Sequence, residues 1–352
     1  MFNAEKYIAE CLDSLLAQTL QNIEVILVND CSTDSSRKIA ESYLEKFGGR
    51  LKLFHTRKNS GYGGVPRNIG LEFSRGEYIF FCDSDDSVTP TALEELYTLA
   101  KKFDADVIHC EKYYNIPDKF WNDAAYRKQL KPYSYLNREK VLVTAPLIWE
   151  NNFEERIAYL TQKKLIWNIW NQLIRRDFII DNRIRLCSIF AEDMIFTMCS
   201  LCSAKKYVVV PNIIYNYRVR DGSLTNDKVT LDSVMHKWLH ALKLGIACLD
   251  EFFGEREFFA KRLDLKYILL DMFVQETLGG LGGIYAQIPA PALDEIIRKE
   301  FSGGDNLALT SFIFSLANIQ RLQLMQNRHQ FNQFAAQAQK RIAELEARLQ
   351  TK

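Results

Sequence analysis

The sequence has no apolar run approaching the ~18 residues that a membrane-spanning helix requires. No crossing of a bilayer is expected. It has no surplus of either charge: 45 lysines and arginines against 44 aspartates and glutamates leave a net +1 over 352 residues, which excludes a global field that gathers nucleic acid or anionic membrane. It also has no disulfide framework. Cys11, Cys31, Cys82, Cys110, Cys187, Cys199, Cys202 and Cys248 fall at irregular spacing and no signal-peptide pattern opens the sequence, so reduced thiols in a cytosolic compartment are expected. Cys199 and Cys202 have C-x-x-C spacing without a second pair, and at i,i+3 on a helical pattern they read as core thiols rather than a zinc site. His236 and His240 lie i,i+4 apart without the glutamate of H-E-x-x-H, so they read as neighbours on one helix surface. The last absence is of a strand. An α/β nucleotide-binding unit normally begins with one, yet Met1-Phe2-Asn3 stands directly before the first helical pattern. A lost N-terminal segment is expected, leaving a sheet short of a strand near its centre.

What is present is a chain with 47% apolar residues, ample for one large domain or two. Its most informative stretch is Tyr78-Ile-Phe-Phe-Cys-Asp83-Ser-Asp85-Asp86, an apolar run that ends in three carboxylates. Such a run reads as a strand buried on both faces. In open α/β sheets ligands sit beyond the carboxyl ends of the strands, and crowded carboxylates there repel one another unless a cation joins them. Mg²⁺ or Mn²⁺ shared with a substrate's phosphates suits oxygen ligands of this kind. The competing interpretation is a solvated turn in which Asp83 and Ser84 make Asx-type bonds and Ser87 or Thr89 caps the helix opening at Pro90.

Around that stretch, strand and helix patterns alternate at short intervals, which predicts a wound, mainly parallel sheet. Ile8, Cys11, Leu12, Leu15 and Leu16 form one stripe of a helix over 4–18. A strand over 23–29 ends at Asp30, and Ser32-Thr33-Asp34 offers caps for a helix over 35–47. Strands are expected over 51–55 and 107–113, and a helix over 91–103. Residues 116–149 carry a weaker pattern. Strong signals return over 167–176 and 189–204, short strands follow over 208–211 and 213–217, and the remainder reads as helical, broken at Gly279–Gly283 and Gly303-Gly304. In the tail, Phe331, Ala335, Ala338, Ile342, Leu345 and Leu349 make a short heptad seam that suggests pairing with another helix.

Seven motifs in order resemble the family 2 glycosyltransferases over about residues 1–225. Phe2-Asn3 followed by a helix is similar to the family's opening P-x-Y/F-N. Val28-Asn-Asp30-Cys31-Ser-Thr-Asp34-Ser resembles V-D/N-D-G-S-T-D-x-S, with Cys31 where glycine is usual. Asn59-x-Gly61 through Arg67-Asn68-x-Gly70 matches N-x-G…A-R-N-x-G, with Pro66 for the common alanine. Gly76-Glu-Tyr through Asp83-Ser-Asp85-Asp86 carries the D-x-D motif. Trp170-Asn-Gln-Leu, Glu192-Asp193 and Tyr217-Arg218-Val-Arg220 complete the order.

The resemblance implies a GT-A fold, here without its first strand and with a C-terminal helical region. It divides the chain into a nucleotide-sugar-binding half over 1–115, an acceptor-side half over 116–228 and helices with the heptad tail over 229–352. The implied activity is inverting transfer of a sugar from a nucleoside-diphosphate donor, expected to be UDP-linked, to a saccharide or lipid-linked acceptor in surface polysaccharide synthesis. Phe2 would stack on the base, Asp30 would bond the base or ribose, and Arg67 would contact the nucleotide. Asp85 would hold Mn²⁺ or Mg²⁺, with Asp83 on the ribose or a metal-bound water. Arg218 and Arg220, two apart and so on one strand face, would clamp the diphosphate. Asp193 would be the general base; the other interpretation of Glu192-Asp193 is an acidic pair that stabilises a helix start. Trp167 and Trp170 would be core or an acceptor platform. No nucleic acid partner is expected; peripheral association with the inner membrane face and a homo-oligomer through the last helix are. Two alternatives remain: a catalytically impaired fold-alike acting as an assembly module, and a nucleotidyltransferase, which would want a glycine- and lysine-rich phosphate loop.

Overall fold

The computed structural model describes residues 1–133, 144–162, 164–220, 223, 237 and 240–279. Helix α1 (Ile8–Leu16) buries Ile8, Cys11, Leu12 and Leu15 of the expected stripe and leaves Leu16 partly buried at its edge. Strand β1 (Val25–Asn29) pairs in parallel with β2 (Leu51–His55), from Val25 opposite Leu51 to Asn29 opposite His55, with α2 (Ser36–Ser42) in the crossover. Helix α3 (Gly64–Phe73) leads to β3 (Tyr78–Phe80), the short β4 (Ser87–Val88), α4 (Ala92–Phe103) and the long β5 (Val107–Pro117). Beyond these lie α5 (Ala124–Arg127), β6 (Leu147–Glu150) and α6 (Phe153–Thr161). A 3₁₀ turn, Ile169–Asn171, runs directly into β7 (Gln172–Arg175) and α7 (Arg176–Asp181). Helix α8 (Glu192–Ser203), β8 (Lys206–Val219), α9 (His240–Gly254), α10 (Glu257–Lys261) and α11 (Leu263–Gly279) follow.

The described strands form two sheets. The larger has the order β3-β7-β5-β8-β4, with β6 also on β8. The α/β class is as expected, but this sheet is mixed: β5 and β8 run parallel while β3/β7, β5/β7, β4/β8 and β6/β8 are antiparallel. Alternation sends Val107, Ile174 and Val209 to one face, packed with α6, α8, α9 and α11, and Ile108, Leu173 and Val208 to the other, packed with α1 and α4. Two short strands expected over 208–217 are one strand. Pro211 is accommodated within it while the register to β5 shifts between Cys110 and Lys112 and again before Tyr114, as a residue without an N–H requires.

The smaller sheet is β1 and β2 alone. On the other edge of β1 the Met1 amine donates to Val28 O (2.9 Å) and Asp30 N donates to Met1 O (2.8 Å), the alternation of a parallel ladder. Val25, Ile26 and Leu27 are only half-buried. They line, with Tyr78–Asp85, a cavity of about 1740 Å³. Cys199 and Cys202 are buried in the core on α8, as expected of structural thiols. No described helix is long and apolar enough to cross a membrane. His236, the glycine breaks beyond Gly279 and the heptad seam lie outside the described residues.

Candidate active site

The carboxylates that end β3 go two ways. Asp83 and Asp85 line the cavity, whereas Asp86 is turned inward and 1% exposed. Asp86 Oδ1 accepts the Arg218 N–H (2.7 Å) and its Oδ2 the Tyr215 hydroxyl (2.9 Å), which in turn accepts the Asp83 N–H (3.0 Å). Burial, with Asp85 and Asp83 adding to it, pushes the Asp86 carboxyl well above the usual range. Asp86 therefore fixes the turn that presents its neighbours. Tyr215, which sits in an alternating strand like any core tyrosine, gave no sign in the sequence of this role.

Arg67, in the first turn of α3, joins the two halves of the site. Its Nη2 donates to Asp83 Oδ1 (2.5 Å) and its Nη1 to Glu192 Oε1 (2.6 Å) and Asp193 Oδ1 (3.5 Å). Room for this guanidinium comes from Gly63, where a Cβ would lie 2.2 Å from Arg67 Nη1 and 2.8 Å from Glu192 Oε1. Glu192 and Asp193 open α8, after Ala191 in a left-handed conformation (φ 68°). Glu192, and not only the Asp193 expected from the motif, is thus a partner of Arg67. Asp193 also accepts the Ile169 N–H, but burial, Glu192 and Asp83 outweigh Arg67 and push its carboxyl up to about 8.

The remaining candidates divide. Phe2 lines the cavity and is 48% exposed. Asp30 lines it too, with its carboxylate engaged by Thr56 Oγ1 (2.8 Å), Ser60 N (2.9 Å), Ser60 Oγ (2.8 Å) and Asn59 Nδ2 (3.2 Å). It thereby holds the Asn59–Gly61 turn against β1. Cys31 is held at φ 57°, which explains why glycine is usual in that place of the motif.

Arg220 lines the cavity and pairs with Asp85 Oδ2 at 2.8 Å. Arg218 does not share its face. It is 5% exposed, bound to Glu10, to Asp118 (2.8 Å) and to the Asp85 carbonyl (2.9 Å), and packed 3.7 Å from the Trp121 ring. The expectation of a shared face used strand alternation, but β8 ends at Val219 and Arg220 lies beyond it. Trp170 is core, 2% exposed and stacked on Tyr215, while Trp167 is partly buried and lines the cavity.

Among the described residues no three His, Cys, Asp or Glu side chains converge as a metal cage. Asp83 and Asp85 are nevertheless a fitting donor set for a hard cation that keeps one or two protein carboxylates and completes its shell with phosphates and water.

Residues 1–172 match the family model described as glycosyl transferase family 2. An uncharacterized glycosyltransferase of Bacillus subtilis, EpsJ, is 33% identical over 231 residues, covering 64% of this chain and 61% of that protein. A cholesterol galactosyltransferase of Borreliella burgdorferi is 34% identical over 238 residues, covering 65% and 61%. The chain thus spans about three-fifths of the length of these curated relatives. Among solved structures, Staphylococcus aureus TarS 1–349 in complex with UDP-GlcNAc superposes with a TM-score of 0.62 at 23% identity, over 85% of this chain and 79% of that one. The two share a fold.

Proposed function

We propose, from the premise that the chain belongs to glycosyl transferase family 2 through residues 1–172, that it is an inverting glycosyltransferase. It takes a sugar from a nucleoside-diphosphate donor, UDP-linked as in the TarS complex, and delivers it to a saccharide or lipid-linked acceptor of a surface glycan. The observation that carries this is the Arg67 bridge, which holds the donor-side carboxylate Asp83 and the carboxylate Asp193 on one guanidinium. A leaving diphosphate and an incoming hydroxyl would therefore meet within one cavity.

Phe2 offers its exposed ring to the base, and Asp30 organises the turn on which base and ribose would rest. Asp83 and Asp85 would hold Mn²⁺ or Mg²⁺, which when bound supplies charge neutralisation to the diphosphate. Arg220 would exchange Asp85 for the diphosphate as a bidentate donor, while Arg67, its fork held by Asp83, Glu192 and Asp193, would remain beside it as a positive charge. Asp193 accepts the proton of the acceptor hydroxyl as the new bond forms between that oxygen and the anomeric carbon. The bond from the anomeric carbon to the phosphate oxygen breaks in the same displacement, and its electron pair leaves with the diphosphate. A carboxyl raised to about 8 is a stronger base than an ordinary aspartate, which suits this task. Action at the cytoplasmic face of the membrane, with peripheral attachment, fits such an acceptor.

Calorimetric titration with UDP, with and without Mn²⁺, tests the reading together with release of UDP from a panel of UDP-sugars. Asp85→Ala should lose Mn²⁺-dependent UDP binding. Asp193→Asn should keep it and lose transfer by roughly 10²–10⁴-fold. Equal loss of binding in both variants would remove Asp193 from the role of base, and absence of UDP binding in the native chain would leave the fold-alike reading.

A further inference from the structure

The cavity has a second wall that the donor chemistry does not use. Asp193 accepts the Ile169 N–H, so the segment Trp167–Trp170 adjoins the proposed base. Trp170 stacks on Tyr217 with ring centroids 5.6 Å apart, and Tyr217 lies opposite Asn115 in the β5/β8 ladder. Tyr113, edge-on to Trp170 at 4.8 Å, carries the surface on to Tyr133, whose ring it meets at 5.3 Å. Tyr133 is fixed by two backbone hydrogen bonds to Tyr113 (2.8 and 3.1 Å) and is 40% exposed. Tyr113, Asn115, Tyr133, Trp167, Asn168 and Tyr217 all line the same cavity as Asp193.

None of these six residues is charged. The donor wall, by contrast, presents Asp30, Arg67, Asp83, Asp85 and Arg220. Among the described residues, Asn115 Oδ1 and Asn168 Oδ1 are buried and have no hydrogen-bond partner. Buried amide oxygens are normally satisfied, so each calls for a donor that the described residues do not supply. Aromatic faces interleaved with a few neutral polar groups suit a ligand with apolar C–H faces and a rim of hydroxyls. Among the described residues this wall offers a phosphate no lysine or arginine of its own, and the nearest guanidinium, Arg67, is already engaged by Asp83, Glu192 and Asp193.

Resting on the transferase reading, we infer that this aromatic wall is the acceptor subsite and that it takes an uncharged sugar ring rather than a phosphate-bearing polyol. Tyr133 and Trp167 pack on the ring, and Asn115 and Asn168 accept its hydroxyl hydrogens.

Two readouts on the full chain test this. In the first, tryptophan fluorescence is followed while uncharged octyl glycosides, and in parallel glycosyl and polyol phosphates, are added without donor. The native chain should respond saturably to at least one neutral glycoside and at least tenfold more weakly to the phosphates, and Tyr133→Ala should weaken the response about tenfold. In the second, UDP release from a UDP-sugar is measured with and without the acceptor. Tyr133→Ala and Asn115→Asp should raise the acceptor KM about tenfold, while acceptor-independent donor hydrolysis stays within about twofold. Tighter binding of the phosphates, or an unchanged acceptor KM in both variants, overturns the assignment. Saturable glycoside binding by a chain that hydrolyses no donor would sink the transferase reading and keep the wall. Donor hydrolysis without any glycoside response would do the reverse.

Discussion

Asp83–Asp86 and Arg218–Arg220 feed two arginine–carboxylate clusters of opposite kind. In the inner one, Arg218 is 5% exposed and bonded on every side, to Glu10, to Asp118 and to the Asp85 carbonyl, while Asp86 is 1% exposed and holds Tyr215 and the Arg218 N–H. In the outer one, Arg67 and Arg220 reach Asp83 and Asp85 across a cavity, and the four side chains keep 18–29% of their surface. Residues of the same types, one or two positions apart, are thus packed into the fold in one cluster and left open to the cavity in the other. The difference lies in how completely each guanidinium is already satisfied, a property that spacing along the chain does not contain.

The largest effect expected is on the inner cluster. Arg218→Ala leaves Glu10, Asp118 and the part-buried Asp85 carbonyl without this partner and should cost about 3 kcal/mol of stability. That is the low end for a broken buried pair, because Glu10 and Asp118 are 36% and 45% exposed and relax into solvent. Urea unfolding measures it, and UDP affinity of the folded fraction should change by less than about threefold. A large loss of UDP affinity at unchanged stability would exchange the roles of the two clusters.

Next comes the pH dependence of the outer cluster. Asp193 must be ionised to accept a proton, and its carboxyl is pushed up to about 8. Transfer at limiting substrate should therefore fall about tenfold per pH unit below that value, and roughly 100-fold by pH 6. The same shift acts on stability with a definite sign. Between an ordinary aspartate value near 4 and about 8 the folded chain keeps a proton that the unfolded chain has released, so this contribution is complete below pH 4 and is lost as pH rises towards 8. Asp193→Asn should flatten that slope, and unfolding curves at pH 4.5 and 7.5 would show it. An acid limb of the rate near pH 4 would mean that Asp193 does not carry the proton.

Much of this was legible beforehand. The apolar run into Asp83–Asp86, the stripe of α1 and the motif order fixed the α/β class and brought Asp30, Arg67, Asp83, Asp85, Arg220 and Asp193 to one cavity. Those signals are local, because burial on both faces and helical periodicity are written in consecutive residues. What escaped is tertiary. Alternation places Arg218 beside Arg220 only when it is extended past the end of β8, and Glu192 draws its value from Arg67, 125 positions away in the chain. The mixed sense of the large sheet likewise depends on which strands meet, not on what each contains.

Gly63 offers a more delicate perturbation of the outer cluster. A Cβ there would sit 2.2 Å from Arg67 Nη1 and 2.8 Å from Glu192 Oε1, so one of the two ends must move. Both belong to flexible side chains, and the backbone at Gly63 (φ −69°) accepts an alanine without strain. Gly63→Ala should therefore fold normally and lose transfer by roughly tenfold, through kcat, because the link from Asp83 to Glu192 and Asp193 is displaced. Restored activity in Gly63→Ala/Glu192→Asp, where the shorter acid makes room, would locate the effect in that contact. Unchanged kcat in Gly63→Ala would show that the bridge is dispensable.

The smallest expected change in stability closes the comparison from the outer side. Arg220 pairs with Asp85 at 2.8 Å, but the two side chains are 25% and 22% exposed, and a pair that water still reaches contributes at most about 1 kcal/mol. Arg220→Ala should therefore shift the urea midpoint by far less than Arg218→Ala does, within that limit. Its effect should appear only with ligand, as a loss of about tenfold in UDP affinity when a bidentate charged contact to the diphosphate is removed. Arg220→Lys separates charge from geometry: an ammonium keeps the attraction and gives up the fork, so its affinity should fall between those of the native chain and the alanine variant. If all three bound UDP alike, Arg220 would be no more than a counter-ion for Asp85, and the outer cluster would be as structural as the inner one.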